Sequence, residues 1–276
     1  MEHTFLVSDT ANDRIHKRLM KDTFNVFNIY DLQYVSEQGS LGTGNNNYHY
    51  LCGIVISPDL RFAYICDTKN HRIKKINYDD LSYAWKAGSF GTGDGDFVYQ
   101  HGLAISPDGE WLIVTDSGND RIQKLRTSDL GYDSKIGSSG TGNDNFDNPS
   151  GCVISPDNIY IYITDTGNHR IVKRLLSDLS YVASVGVYGA GNHRYKEPHG
   201  ITITSNGLYL FFCDSLNHRI VKLLASDLSQ VAVYGSYGAG NGQFNTPRGI
   251  ALTDDKFLVI TDTYNHRIQK SEKYHS

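Results

Sequence analysis

Residues 165–171 read DTGNHRI, and five other stretches of the chain are near-copies of this heptapeptide. The copies are DTANDRI at 9–15, DTKNHRI at 67–73, DSGNDRI at 116–122, DSLNHRI at 214–220 and DTYNHRI at 262–268. Their first residue recurs at positions 9, 67, 116, 165, 214 and 262, in steps of 58, 49, 49, 49 and 48. Such regular self-similarity indicates a repeat architecture.

Each period holds four short segments rich in β-branched and aromatic residues. Between residues 151 and 185 these segments are GCVIS, IYIYIT, RIVKRL and YVASV, separated by Gly, Pro, Asp, Asn or Ser. The pattern predicts four antiparallel strands, and nothing in it resembles a long amphipathic helix. Four strands in about 40 to 50 residues are typical of one blade of a β-propeller. We therefore predict an all-β propeller of four-stranded antiparallel blades that forms a single domain over residues 1–276.

The heptapeptide lies between the second and third strands of a blade and is predicted to be a tight hairpin. Such a turn needs a positive φ, which Asn, Asp and His tolerate better than other non-glycine residues. This explains why His169 in one copy corresponds to Asp120 in another. The Asp and Arg of each copy fall on the same face of the hairpin and can pair across the strands. The predicted structural residues are Asp9, Arg14, Asp67, Arg72, Asp116, Arg121, Asp165, Arg170, Asp214, Arg219, Asp262 and Arg267.

The hairpins and the linkers between blades resemble NHL repeats. Those linkers read GSFGTGDGDFVYQHGLAIS, GSSGTGNDNFDNPSGCVIS, GVYGAGNHRYKEPHGITIT and GSYGAGNGQFNTPRGIALT. The resemblance covers nearly the whole chain and implies a propeller that is usually six-bladed. The chain departs from the pattern in an insertion at about residues 20–30, between the first two copies, and in the SPD turns at 57, 106 and 155.

Closure of the ring is left open by the strand count. If the strands of a blade are labelled a to d from the axis outwards, the chain supplies five a, six b, six c and five d strands. A six-bladed ring, which we favour, would lack strand a in its first blade and strand d in its last. In the alternative five-bladed ring, the strand near residue 33 would complete the last blade and the first hairpin would lie outside.

The composition excludes several function classes. A net charge of −4 gives no reason to expect nucleic acid or an anionic membrane as a partner. No apolar run is long enough to span a bilayer, and the start of the sequence does not resemble a signal peptide. The four cysteines have no metal-ligand spacing and are expected to be free thiols, which favours the cytoplasm.

Candidate binding residues lie where the linkers and hairpins share one face, the usual binding surface of the family that the chain resembles. The residue before each strand-a glycine, expected at the mouth of the channel, varies: Cys52, His101, Ser150, His199 and Arg248. The hairpin tips vary as well, and include Lys69 and Tyr264. Ordinary surface variation would produce the same pattern.

Metal sites have weak support in the sequence. Some NHL-like propellers, notably the peptide-amidating lyases, hold a catalytic zinc at the axis on histidines from separate blades, which makes His101 and His199 weak candidates. A catalytic zinc usually takes three protein ligands. Linker oxygens at Asp94, Asp96, Asp144 and Asn145 could hold calcium, but other repeats lack them.

These observations predict a non-enzymatic scaffold that needs no cofactor and binds a protein or peptide through its loop face. A first alternative is carbohydrate binding, in which the linker aromatics Phe97, Phe146, Tyr195 and Phe244 would stack on sugars. Their recurrence in register equally marks a packing position, which we favour. A second alternative is an axial zinc lyase. Nucleic acid is not an expected partner, because the charges of this face are mixed.

Overall fold

The computed structural model describes residues 2–21, 26–27, 33–253 and 257–271 of the chain. Regular structure within these ranges is β-strand, apart from short 3-10 turns such as Thr68–Asn70. The strands coincide with the β-branched and aromatic segments of the repeat, and most are bounded by Gly, Pro, Asp, Asn or Ser on at least one side.

The first twelve strands are β1 (Glu2–Asp9), β2 (Arg14–Lys21), β3 (Val26–Phe27), β4 (Gln33–Gln38), β5 (Leu51–Ile56), β6 (Phe62–Asp67), β7 (Arg72–Asn77), β8 (Tyr83–Ala87), β9 (Leu103–Ile105), β10 (Trp111–Asp116), β11 (Arg121–Arg126) and β12 (Tyr132–Ile136). The others are β13 (Pro149–Ile154), β14 (Tyr160–Asp165), β15 (Arg170–Leu175), β16 (Tyr181–Val185), β17 (Val187–Tyr188), β18 (Arg194–Tyr195), β19 (Pro198–Ile203), β20 (Tyr209–Asp214), β21 (Arg219–Leu224), β22 (Gln230–Tyr234), β23 (Pro247–Thr253), β24 (Phe257–Asp262) and β25 (Arg267–Ser271).

Apart from β17 and β18, which pair in parallel within a linker, the strands form six small antiparallel sheets, which are the blades of a propeller. Blades 2 to 5 are the consecutive sets β5–β8, β9–β12, β13–β16 and β19–β22. Blade 1 contains β1, β2 and β4, and blade 6 contains β23, β24, β25 and β3. The all-β propeller predicted from the sequence is therefore confirmed, as is the favoured count of six blades.

Ring closure differs in one respect from each of the two predicted forms. Strand β4 pairs with β2 within blade 1, so the five-bladed alternative is wrong. Blade 6 does not lack its outer strand, because Val26 and Phe27 of the insertion pair with Gln269 and Ile268 of β25. The insertion thus carries the chain from blade 1 back to blade 6 and then returns it to blade 1. This joins the first and last blades by hydrogen bonds.

The core consists of clusters of buried residues, each shared by two successive blades. Ile113 of blade 3 packs in one cluster with Ile161 of blade 4, and Tyr162 of blade 4 packs with Leu210 of blade 5. Similar clusters join blades 1 and 2, 2 and 3, and 5 and 6. Burial of apolar surface between blades is the main stabilising term, since a single blade cannot bury both of its faces.

Lysines of the third strands add a polar bond between neighbouring blades. Lys173 lies 4.0 Å from the Tyr160 ring and donates hydrogen bonds of 2.9 Å to the carbonyls of Ala225 and Ser226 in blade 5. Lys17, Lys75 and Lys124 make the corresponding bonds to the blade that follows their own. Burial lowers the pKa of Lys173, so its carbonyl partners are needed to hold the charge.

Deleting residues 1–19 should open the ring, because it removes β1 and most of β2 and exposes the faces of blades 2 and 6. The variant should aggregate, or lose its cooperative melting transition, in differential scanning calorimetry and size-exclusion chromatography. A soluble monomer that melts cooperatively near the parent's temperature would contradict the six-bladed closure.

Candidate functional site

The six hairpin tips share one backbone conformation. The fifth residue of each heptapeptide has a left-handed backbone, with φ between 51° and 57° at Asp13, His71, Asp120, His169, His218 and His266. Asp and His alternate at this position because both tolerate positive φ. The turn predicted from the sequence is present in every copy.

The same residue also bonds to the next blade, a role that the sequence did not reveal. The Nδ1 atoms of His71, His169 and His218 accept hydrogen bonds of 3.1 to 3.3 Å from the N–H groups of Tyr99, Glu197 and Thr246. Asp120 Oδ1 accepts the corresponding bond from Asn148 at 2.8 Å. Asp and His are exchangeable here because each offers an acceptor in the same place.

The Asp and Arg of the heptapeptide form an ion pair that also holds the linker leading into their blade. In blade 4, Arg170 Nε lies 2.7 Å from Asp165 Oδ2, and the Asp165 side chain is fully buried. Asp165 Oδ1 accepts the N–H of Asp147 at 2.8 Å, while the guanidinium donates to the carbonyls of Thr141, Gly142 and Asn145. Blades 2, 3, 5 and 6 have the same 2.7 Å ion pair.

Blade 1 departs from this arrangement. Asp9 Oδ2 contacts His16 Nε2 at 3.2 Å, and Arg14 contacts Glu37 at 3.3 Å, instead of pairing with each other. Their side chains are 27% and 45% exposed. The ordinary pair needs linker N–H and carbonyl groups to complete its hydrogen bonds, and the described part of the chain places no such linker before β1. The predicted Asp–Arg pairing is therefore confirmed in five blades and wrong in the first.

Arg170→Ala should lower the free energy of unfolding by about 3 kcal/mol, since it leaves a buried carboxylate and three linker carbonyls without their donor. Arg14→Ala is the matched control and should cost less than about 1 kcal/mol, because its ion pair is exposed. Urea denaturation of both variants measures the difference. Equal losses would contradict the role of Arg170 in holding the linker.

The aromatic residues of the linkers fall into two sets, of which the first is buried. Phe97, Phe146, Tyr195 and Phe244 are no more than 1% exposed and pack under the linker glycines. They are the residues on which the carbohydrate alternative relied. Their burial confirms the packing role that we favoured, and side chains in this position cannot stack on a sugar.

The second set lies seven residues earlier in each linker and is exposed. Phe90, Tyr188 and Tyr237 are 71%, 62% and 68% exposed, and Leu41 is 65% exposed. The hairpin histidines support the three aromatic rings, since His71, His169 and His218 have ring centroids 4.9 to 5.0 Å from Phe90, Tyr188 and Tyr237. Linkers and hairpins meet on one face, which we call the loop face. It therefore carries repeated, supported aromatic rings.

The predicted hairpin-tip residues also lie on the loop face. Lys69 and Tyr264 are exposed, and Lys69 Nζ lies 5.0 Å from the centre of the Tyr50 ring. Lys69 and Tyr264 occupy the same position of the hairpin, which is Gly, Ala or Leu in the other blades. The hairpin tips therefore give each sector of the face a different chemistry.

Four of the five predicted channel-mouth residues form two contacting pairs near the axis. Ser150 Oγ lies 3.0 Å from His199 Nδ1, and Cys52 Sγ lies 4.0 Å from His101 Nε2. Arg248 is exposed, while the other four are buried or half-buried. Strand a of each blade approaches the next so closely that a Cβ at the glycine after Ser150 or His199 would collide with a neighbouring carbonyl.

The channel-mouth histidines do not fit a zinc site. Burial, Arg248 and His101 lower the pKa of His199 to about 3, and burial and Arg248 lower the pKa of His101. A guanidinium that disfavours protonated imidazole also disfavours a bound cation. Within the described ranges, no three His, Cys, Asp or Glu residues lie close enough together to hold a metal ion. The peptide-amidating alternative therefore has no third ligand here.

The linker carboxylates proposed for calcium are engaged by cationic side chains. Asp94 pairs with Lys135 at 2.6 Å, and Asp144 pairs with the buried Arg174 at 3.2 Å. Asp96 and Asn145 bond to linker serines. All four cysteines are free thiols, as expected from their spacing. In the part of the chain that the structure describes, no helix is both long and apolar enough to cross a membrane.

Comparison with known proteins agrees with this architecture. Residues 244–270, which include one linker end, strand pair and hairpin, match the family model "NHL repeat". The chain is a six-bladed β-propeller whose last blade matches the NHL repeat. No curated protein sequence matches it.

Solved structures similar to this propeller share its fold at low sequence identity. The streptogramin B lyase structure has a TM-score of 0.65 at 14% identity, covering 97% of this chain and 74% of that chain. A functionally unknown protein from Desulfotomaculum acetoxidans DSM 771 has a TM-score of 0.61 at 14% identity, covering 94% and 72%. Hydrazine synthase of Kuenenia stuttgartiensis has a TM-score of 0.55 at 16% identity, covering 79% and 75%. At these identities, the similarity shows the fold alone.

Acid should destabilise this propeller through its channel-mouth histidines. An unfolded histidine has a pKa near 6.5, whereas the folded pKa of His199 is about 3. The unfolded state therefore takes up the proton first, so the contribution of His199 to stability is constant above about pH 6.5 and falls as the pH falls below it. The slope is at most about 1.4 kcal/mol per pH unit for each histidine.

Thermal melts of the parent and His199→Gln at about pH 7 and pH 5 test this linkage. The variant should lose less stability than the parent on acidification, since it lacks one titrating group. Parallel losses in the two proteins would show that His199 stays accessible to protons in the folded state.

Proposed function

We propose that this NHL propeller is a scaffold that binds a protein or peptide through its loop face. The observation that supports this proposal most strongly is the set of exposed rings Phe90, Tyr188 and Tyr237, each packed against a hairpin histidine. Large aromatic side chains held in fixed positions are typical anchors of protein interfaces. Exposure of three apolar rings to water is unfavourable, and a bound partner would remove them from water.

The way in which the linkers are held supports a preformed surface. Each exposed ring follows the end of a strand d and precedes a linker stretch that is hydrogen-bonded to the Asp and Arg of the next hairpin. The ring therefore has little conformational freedom to lose when a partner binds, which lowers the entropic cost of association.

Charges on the loop face favour a protein partner over nucleic acid. Lys69, Lys196 and Arg248 lie among Asp94, Asp96 and Glu197, and a phosphate backbone would require a more uniform positive charge. The channel-mouth residues Cys52, His101, Ser150, His199 and Arg248 would form the polar floor of the site at the axis. They would select polar groups of the partner, while the aromatic rings around them contact its apolar side chains.

Blade 4 supplies the substitution for the test, because Ser139 occupies the position of the exposed rings there. The variant Phe90→Ser, Tyr188→Ser, Tyr237→Ser should fold normally, since Ser is native to this position. Peptides selected on the parent from a displayed random library should bind the triple variant at least tenfold more weakly than they bind the parent. Trp85→Ser is the control: it removes an exposed aromatic ring from the outer strand β8 and should leave the affinity unchanged.

Fluorescence polarisation with the selected peptides measures both variants. The proposal fails if no peptide is enriched, or if the triple variant binds as the parent does. A glycan array run on the same proteins tests the carbohydrate alternative, and binding of a glycan with the same dependence on the rings would replace the peptide by a sugar as the ligand.

A further inference from the structure

Within the described residues, blade 1 has no strand that corresponds to the one lining the channel in the other five blades. Its sheet order is β1-β2-β4, so β1, which corresponds to strand b elsewhere, is the innermost strand. The axial channel, a cavity of about 570 Å³ lined by the inner strands of blades 2 to 6, extends to this place, where Leu6, Val7 and Ser8 of blade 1 and Val259 and Ile268 of blade 6 line it. The residues that correspond to Val259 in blades 2 to 5 are large or β-branched and no more than 2% exposed, whereas Val259 is half-buried.

A ring of hydroxyl bonds is interrupted at the same place. The Ser or Thr that follows the signature Asp donates to a carbonyl at the start of the next blade's inner strand. The five bonds are Thr10 to Leu51 (2.6 Å), Thr68 to Gln100 (2.9 Å), Ser117 to Pro149 (2.5 Å), Thr166 to Pro198 (2.7 Å) and Ser215 to Pro247 (2.5 Å). Thr263 of blade 6 is the sixth member. It is half-exposed and has no such acceptor among the described residues.

A second hydroxyl points to the next carbonyl along the same missing strand. Thr115 and Thr164 donate to the carbonyls of Ser150 and His199 in the following blade, at 2.7 and 2.6 Å. Thr261 occupies the corresponding position in blade 6, where its described acceptor is Gly249 of its own blade at 3.4 Å. Thr261 and Thr263 are therefore placed to bind two consecutive carbonyl groups of an extended chain.

A third polar group of blade 6 matches the residue that precedes these two carbonyls. The hairpin residues of blades 1 to 5 accept the N–H of the residue that precedes the next inner strand, as His218 accepts that of Thr246. His266 of blade 6 has the same left-handed backbone but is exposed, and the described residues offer it no N–H. Three polar groups of blade 6 thus match the N–H, C=O and C=O of three successive residues.

The inner strands of the other blades specify the side chains that fit such a chain. Four of them begin with a residue pair followed by Gly, which has no Cβ and so avoids the carbonyl of the next strand. Aliphatic side chains follow at the first and third positions after this Gly, as in Ile201 and Ile203 or Ile250 and Leu252. In blade 1 the corresponding Gly would face the carbonyl of Cys52, and the aliphatic side chains would meet β1.

We propose that this gap binds an extended peptide segment of a partner polypeptide, which adds to β1 as the inner strand of blade 1. The segment has the pattern Pro-x-Gly-aliphatic-x-aliphatic. Its backbone binds His266, Thr263 and Thr261, and its aliphatic side chains fill the apolar cavity beside Leu6 and Val259. Addition of a strand to a free sheet edge obtains its affinity from main-chain bonds and its specificity from alternate side chains. This site is separate from the aromatic rings of the loop face.

The probe is a fluorescent synthetic peptide with the sequence of residues 241–253, NGQFNTPRGIALT, which is the inner strand of blade 6 with part of its linker. Fluorescence polarisation should show saturable binding with one peptide per chain. The same peptide carrying Gly249→Val should bind at least tenfold more weakly, because its side chain would meet the carbonyl of Cys52.

Matched protein variants locate the binding. Thr261→Val combined with Thr263→Val should weaken peptide binding at least tenfold. Thr164→Val combined with Thr166→Val makes the same change in blade 4, where the two hydroxyls already donate to the carbonyls of His199 and Pro198. This variant should have a lower melting temperature but an unchanged affinity for the peptide. If either pair melts below the assay temperature, Thr263→Val alone is compared with Thr166→Val alone.

Three results would overturn the proposal. They are no saturable binding up to about 1 mM peptide, equal affinity for the Gly249→Val peptide, and equal effects of the two double variants. A parent protein that is dimeric, and that the peptide converts to a monomer, would assign the gap to a second copy of the chain instead. The triple Ser variant of the loop face should bind this peptide as the parent does, which separates this site from the one proposed above.

Discussion

A buried carboxylate at the base of the hairpin organises five of the six blades of this propeller. Removing a carboxylate from water is costly unless hydrogen bonds replace its hydration, and burial raises the pKa of Asp165. Hydrogen bonds from Arg170, Asn168 and the N–H of Asp147 to the Asp165 carboxylate offset this cost. Arg170 in turn donates to three linker carbonyls. The hairpin and the linker are therefore ordered together. Neither has its polar groups satisfied without the other.

This constraint explains which positions of the repeat are fixed and which vary. Asp, Asn and Arg recur because each is bonded on several sides, and the buried linker aromatic recurs because it packs beneath the linker. The side chain seven positions before that aromatic is exposed and does not pack beneath the linker. This position can therefore be Phe90 in one blade and Ser139 in another. A rigid framework that frees selected positions on one face is well suited to recognition.

Much of the fold could be predicted from the sequence, because the hairpin and the strands are specified by short-range patterns. The positive φ at His169 and the cross-strand pairing of Asp165 with Arg170 follow from turn chemistry and strand register. The departure at Asp9 and Arg14 could not be predicted from the heptapeptide, because it depends on whether a linker is present to complete the bonds. The two-residue strand Val26–Phe27 is too short to show a periodic pattern.

The candidate site could be predicted only in part, for a related reason. The channel-mouth and hairpin-tip positions were identified by their variation, and the structure places them on the loop face and at the axis. The exposed rings Phe90, Tyr188 and Tyr237 are not among the site residues predicted from the sequence. Their position is aromatic in three linkers and Leu or Ser in two others, and this variation could have indicated a binding position. The support that they receive from His71, His169 and His218 joins each hairpin to the linker that follows two strands later, so only the structure reveals it.

Hydrogen–deuterium exchange of Asp165→Ala, measured peptide by peptide against the parent, tests the central claim most directly. If the buried carboxylate holds the linker, amide exchange should accelerate in residues 141–148, where the Asp147 N–H loses its acceptor, while the other four linkers keep the parent's protection. Unchanged exchange in residues 141–148, or a uniform acceleration over all blades, would contradict the claim that each hairpin orders its own linker.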